Sequence, residues 1–198
     1  MTEENVVRDS FGDLRELLTF HARSEKAGDV LDWESAAREL GVRSLPADYR
    51  EFVTAYGGGS IEDNIGINVP ASADTAYAGP IKWLSVERSG GDSAVRSASR
   101  PAAPAELLRW GATIGADGLY WVAVDADPDR WPVAVWGRGD AKWTVFDRGM
   151  AGFLVGMLRA EFAFCPLTDE SLWGAGGARF LHAEDELRMD EAGFDAWE

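Results

Sequence analysis

The stretch LYWVAV, Leu119 to Val124, has no polar face. On a strand, side chains alternate with period two, so Leu119, Trp121 and Ala123 fall on one side and Tyr120, Val122 and Val124 on the other. A strand of this kind needs cover above and below. Two further apolar runs, PVAVW and WTVF, follow across the short polar links DADPDRW and GRGDAK. Strands joined that tightly predict an antiparallel meander. The rest of the chain must therefore fold around a central sheet. Upstream, IGINV and IKWLSV also read as strands, and the Gly/Ser/Ala/Pro-rich residues 89–106 read as a loop.

Before the sheet the periodicity is helical. A first helix is expected from Ser10, whose hydroxyl can cap FGDLRELLTFHARSE, with Phe11, Leu14, Leu17, Leu18 and His21 on its buried face. A second starts at Asp32 in DWESAAREL, turns Trp33, Ala36, Ala37 and Leu40 inward and stops at Gly41. A third runs through LPADYREFVTAY, where Leu45, Tyr49, Phe52, Val53 and Tyr56 make one stripe. Pro46 suits the first turn, Asp48 and Glu51 favour the positive end of the dipole, and Gly57 supplies the left-handed residue that ends the helix. After the meander, GMAGFLVGMLRAEF returns to helical spacing with Phe153, Leu154, Met157, Leu158 and Phe162 on one face. The fold class is α+β: short N-terminal helices, a central and mostly antiparallel sheet, and a helix packed on it after the meander.

The glycines of GGGSI invite a phosphate-loop reading, but they follow a helix and lack the lysine and hydroxyl that such a loop requires. They read as a helix stop and turn. DADPDRW has the spaced aspartates of a calcium loop, yet Arg130 and Trp136 stand where a glycine and a glutamate are needed, so it reads as a hairpin turn. His21 lies on an apolar helix face, His182 has no serine motif near it, and Cys165 in EFAFCPL reads as a buried thiol. No nucleophile–base pattern is legible, and no cofactor or metal is expected. Most of the nine tryptophans sit among apolar neighbours and read as core.

The chain carries 34 acids against 19 bases, a formal net charge of -15. Such a charge repels phosphate backbones and anionic membranes and favours a basic protein partner. No run of eighteen apolar residues is present, the first thirty residues have no signal-like apolar segment, and there is one cysteine; a cytoplasmic setting is expected. The last 34 residues hold nine acids and two bases but keep Trp173, Phe180, Leu181, Phe194 and Trp197. So many large apolar groups imply that this tail packs back on the domain or binds something.

LPADYREFVTAYGGG after a Trp-bearing short helix, then LLRWGATIGADGLYWVAVDADPDRWPVAVW, then FDRGMAGFLVGML, resembles the SUKH superfamily, the family of a fungal cell-wall-assembly regulator and of many bacterial toxin-immunity proteins. The resemblance covers about residues 30–160. It rests on Leu45, Pro46, Asp48, Tyr49, Phe52 and Gly57–Gly59, joined by Trp110-Gly111, Gly118, Trp121, Trp131-Pro132-Val133 and Phe153-Leu154. One SUKH-like α+β domain is expected over residues 1–164, with its core at about 30–160, followed by an acidic, aromatic-bearing C-terminal extension over 165–198. The N-terminal helix, the 89–106 loop and this tail depart from the compact family pattern. The resemblance implies a binding protein without catalysis, and the departures leave two roles open: an immunity protein that occupies a basic toxin domain, often a nuclease, or a regulatory scaffold that inhibits nothing.

Recognition residues favour loops held by a rigid scaffold. The candidates for partner binding are Glu62 and Asp63 after the glycines, Asp125, Asp127 and Asp129 in the hairpin turn, and the run Glu184, Asp185 and Glu186. These are where negative charge is concentrated on expected loops and on the tail. Taken one at a time, each also reads as an ordinary solvated turn residue.

Overall fold

A computed structural model describes residues 10–71, 79–84 and 101–198. Most of the expected 89–106 loop and the end of IKWLSV lie outside the described residues. The elements in chain order are α1 (Ser10–Leu17), β1 (Leu18–Phe20), α2 (Trp33–Leu40), α3 (Ala47–Ala55), β2 (Gly59–Ile61), β3 (Ile65–Ile67), β4 (Lys82–Trp83), β5 (Leu107–Thr113), β6 (Gly118–Val122), β7 (Val133–Gly137), β8 (Lys142–Phe146), α4 (Met150–Leu158), β9 (Ala178–His182) and α5 (Ala183–Glu191). The strands form one sheet in the order β1-β9-β2-β3-β5-β6-β7-β8, with β4 pairing β5 beside β3. Only β1 and β9 pair in parallel among these strands. The fold is α+β with a mostly antiparallel sheet, and the meander β6–β7–β8 has the expected form.

All five residues of β6 are buried, and its two faces belong to different apolar clusters. Leu119 and Trp121 face the helices, where the Tyr49 ring of α3 meets Trp121 edge-on at 5.0 Å. Tyr120 and Val122 join Leu107, Ala134 and Trp136 on the opposite face. There the sheet covers itself: the Trp143 ring of β8 lies 5.1 Å from Tyr120 and 5.5 Å from Trp136. Helix α4 is buried at all nine positions, as a helix apolar on every side must be. Its first turn has no cap of its own. Asp48 of α3 reaches across and accepts from the Ala151 amide at 2.9 Å. Burial raises the Asp48 carboxyl above its ordinary range.

Several boundaries differ from the sequence reading. Ser10 is the first residue of α1 itself, and the helix ends at Leu17; the next residues pair with Ala178–Phe180, so Leu18 and His21 leave the helix. Thr19 and Phe20 are good strand formers, and a partner strand overrides the weak helical pattern. Helix α4 stops at Leu158, and Ala160 at φ +52° turns the chain. Phe162 then packs on Phe146 from outside the helix, with ring centroids 4.6 Å apart. The division expected at residue 165 does not divide the sheet. The tail contributes β9, hydrogen-bonded between β1 and β2, and Phe180 is a fully buried core residue against Phe52 at 5.6 Å.

The three glycines after α3 separate into distinct roles. Gly57, at φ +85°, ends the helix as expected. The Gly58 amide donates to the buried Asp29 carboxylate at 2.9 Å. Gly59 belongs to β2, where a Cβ would stand 2.1 Å from the Leu181 carbonyl oxygen of β9, so close pairing of these strands requires glycine.

Candidate partner-binding surface

The β2–β3 hairpin turns through Glu62 and Asp63, both in the left-handed region at φ +48° and +51°. This turn points the two carboxylates in different directions. Glu62 closes on Arg179 of β9 with a two-toothed ion pair, 2.9 Å from Nε and 2.6 Å from Nη2, and accepts the Arg179 amide at 2.7 Å. These bonds from Arg179 hold the Glu62 carboxyl below the usual carboxylate range. Asp63 is exposed on the outer side. Its carboxyl is raised by partial burial and by the neighbouring charges of Glu186 and Asp195.

The run 184–186 opens α5 and is mostly occupied with holding the tail in place. Glu184 is exposed and pairs with Lys26. Asp185 is only 3% exposed. Its carboxylate accepts the Glu25 and Lys26 amides at 2.8 and 2.9 Å and pairs with Arg188 at 3.0 Å. Asp185 is therefore a buried clamp between α5 and the 24–26 turn and is unavailable to a partner. Glu186 is half-buried; it accepts from the Ser60 hydroxyl at 2.7 Å and the Trp197 indole at 3.2 Å.

The third group forms a ladder of aspartate turns between β6 and β7. Asp125 accepts the Asp127 amide at 2.9 Å, Asp127 accepts the Asp129 amide at 3.2 Å, and Asp129 accepts the Ala47 amide at the start of α3 at 2.6 Å. Asp129 thus caps a helix that carries no cap of its own. Asp129→Ala should cost about 1 kcal/mol in urea unfolding; an unchanged midpoint would show that water replaces the cap. Asp125 also pairs with Arg130 at 3.5 Å.

Strand register shows which candidates lie together. The β2–β3 turn closes at Ile61 and Ile65; Ile65 pairs with Thr113, at the end of β5 where Ala112 meets Gly118. The aspartate ladder follows Val122, which pairs with Leu107 at the opposite end of the same hairpin. Glu62 and Asp63 therefore lie at one end of these strands and Asp125, Asp127 and Asp129 at the other. His182 pairs with Gly59, away from the β2–β3 turn, so Glu184 and Asp185 stay with residues 24–26, and of that run Glu186 joins Asp63. Two residues missed in the sequence join these two. Asp190 and Asp195, with Asp63 and Glu186, ring an open hollow of about 580 Å³ whose apolar lining includes Phe194 and Trp197. The acid–aromatic string FDAWE was the available signal, though which of its side chains face outward depends on long-range packing.

The tail holding this hollow is anchored at several points. Trp197 packs on His21 at 5.3 Å, and the Arg179 guanidinium lies 5.5 Å from the Trp197 ring centre. His182 is fully buried: Nδ1 accepts the Glu184 amide at 3.1 Å, so Nε2 carries the proton and donates to Asp29 at 3.2 Å. Burial would raise the Asp29 carboxyl, but bonds from His182 and Gly58 outweigh it and bring it below its ordinary value. Among the described residues no group of three His, Cys, Asp or Glu side chains is placed to hold a metal ion. No described helix is long and apolar enough to cross a membrane. No family model, curated protein or solved structure matches the chain.

Proposed function

We propose that this protein is a non-catalytic binding module that neutralises a basic toxin domain in the cytoplasm, the role implied by its resemblance to SUKH immunity proteins. The observation that carries the reading is the hollow at the tail. Its four carboxylates, Asp63, Glu186, Asp190 and Asp195, make no ion pair among the described residues and surround apolar surface. A nuclease-type domain holds its substrate with lysine and arginine, and a net charge of -15 steers such a surface toward this one. The aspartate ladder at the other end of the sheet adds to the long-range attraction, while its carboxylates are largely occupied by backbone amides.

The test is co-expression with each nuclease-type toxin domain encoded beside the gene, scored as growth. Rescue is expected, with an association rate in vitro that falls about tenfold or more between low and high salt. Cell death in the presence of abundant folded protein, with every such domain, overturns the reading.

A further inference from the structure

The geometry points to the hollow between the β2–β3 turn and the C-terminal segment as a seat for an arginine side chain of a partner protein, stacked on Phe194 and held by Asp63, Asp190 and Asp195. This inference rests on the binding-module reading and names the group that the surface would take.

Phe194 is 63% exposed, although the chain around it is packed: Met189 and Ala196 are buried with Leu181, and Trp197 is half-buried against them. The ring is shared by two adjoining hollows. The first, of about 580 Å³, has only acids among its charged lining residues. The second, of about 470 Å³, includes Arg23 and Arg188. Those two arginines are already engaged, Arg188 with Glu25 and Asp185 and Arg23 with the Asp195 carbonyl. A cation arriving from outside therefore finds its charge complement in the first hollow, against the Phe194 ring.

The fold itself shows what kind of cation suits such a place. Arg179 lies over Trp197 at 5.5 Å and is pinned by Glu62 at 2.6 Å. Arg148 lies over Phe162 at 5.1 Å and is pinned by Glu161 at 2.6 Å. In both cases a flat guanidinium covers an aromatic face while a carboxylate takes its N–H groups. Phe194 with its surrounding aspartates offers the same two partners at the surface. A lysine ammonium would satisfy the charge but could not lie flat on the ring.

Titration of the full chain with hexa-arginine and hexa-lysine peptides, followed by amide NMR shifts, tests this directly. Shifts from hexa-arginine are expected to centre on residues 62–64 and 190–197, with affinity about fivefold above that of hexa-lysine. Phe194→Ala and Phe194→Leu should each weaken hexa-arginine about fivefold, the leucine variant keeping apolar bulk without the ring face. The pair Asp63→Asn and Asp190→Asn should weaken it about tenfold, and the pair Asp125→Asn and Asp127→Asn less than about twofold. Equal losses from the two pairs, no loss from either Phe194 variant, or equal binding of the two peptides overturns the inference. Arginine binding by a chain that rescues no cell sinks the toxin role alone. Rescue that survives Phe194→Ala combined with Asp63→Asn and Asp190→Asn sinks the arginine seat alone.

Discussion

Gly57→Val is expected to lower the free energy of unfolding by about 3 kcal/mol or more. Two separate costs combine. The backbone at φ +85° is in the left-handed region, where a β-branched residue costs about 1–2 kcal/mol. The side chain then has no room: a Cβ would stand 2.5 Å from both Cδ2 and Nε2 of His182 and 2.9 Å from an Asp29 carboxylate oxygen. Overpacking of this kind adds about 1–3 kcal/mol. The ring cannot retreat cheaply, because it is buried and fixed at both nitrogens, by Asp29 and by the Glu184 amide. Displacing it breaks a buried hydrogen-bonded pair and shifts the junction between β9 and α5. Urea unfolding should show the loss, and Gly57→Ala should show most of it, since the clash begins at Cβ. A melting midpoint unchanged in both variants would refute the helix stop together with the packing of His182 against it.

The same region shows where sequence reasoning succeeded and where it stopped. Helix α2 was legible from both ends because its signals are local: Asp32 caps the Glu34 and Ser35 amides, and Gly41 takes the left-handed conformation at φ +70°. The meander was legible because its strands are long, apolar and closely joined. β1, β2 and β9 have three to five residues each, and β1 finds its partner in β9 across most of the chain. No local pattern announces such a pairing. For the surface, the acidic runs were plain, but the use of each carboxylate was not. Asp185 looked like part of an exposed run and is buried on the amides of Glu25 and Lys26, 160 and 159 residues away. Asp129 looked like a free turn residue and caps a helix 82 positions upstream. Phe194 has the composition of a core residue, and only the packed tail shows that it faces solvent.

Asp117→Ala should loosen the end of the sheet where the β5–β6 and β7–β8 turns meet, costing about 3 kcal/mol. Nothing in the GADGLYW stretch marks this aspartate, yet it is fully buried and receives four hydrogen bonds. One carboxylate oxygen accepts the Arg138 amide at 2.8 Å and the Thr168 hydroxyl at 2.6 Å. The other accepts the Thr168 amide at 2.8 Å and the Thr113 hydroxyl at 3.2 Å. A buried charge is tolerable when hydrogen bonds surround it, and here they fasten the β5–β6 turn, the β7–β8 turn and the chain after Cys165 to one another. Alanine leaves two backbone amides and two hydroxyls without their acceptor. The Thr113 hydroxyl is buried and the Arg138 and Thr168 groups are part-buried, so the losses fall toward the lower end of the about 1–3 kcal/mol that a stranded buried donor costs. The hydroxyls can rotate to other acceptors; the amides cannot. Asparagine keeps the shape but turns an N–H group toward donors, so Asp117→Asn should lose about half as much. Amide exchange at Arg138 and Thr168 should quicken in both variants, ahead of exchange in β6. A loss below about 1 kcal/mol in Asp117→Ala, with those two amides still protected, would mean that water enters and replaces the carboxylate, and the three segments would then be held by their apolar contacts alone.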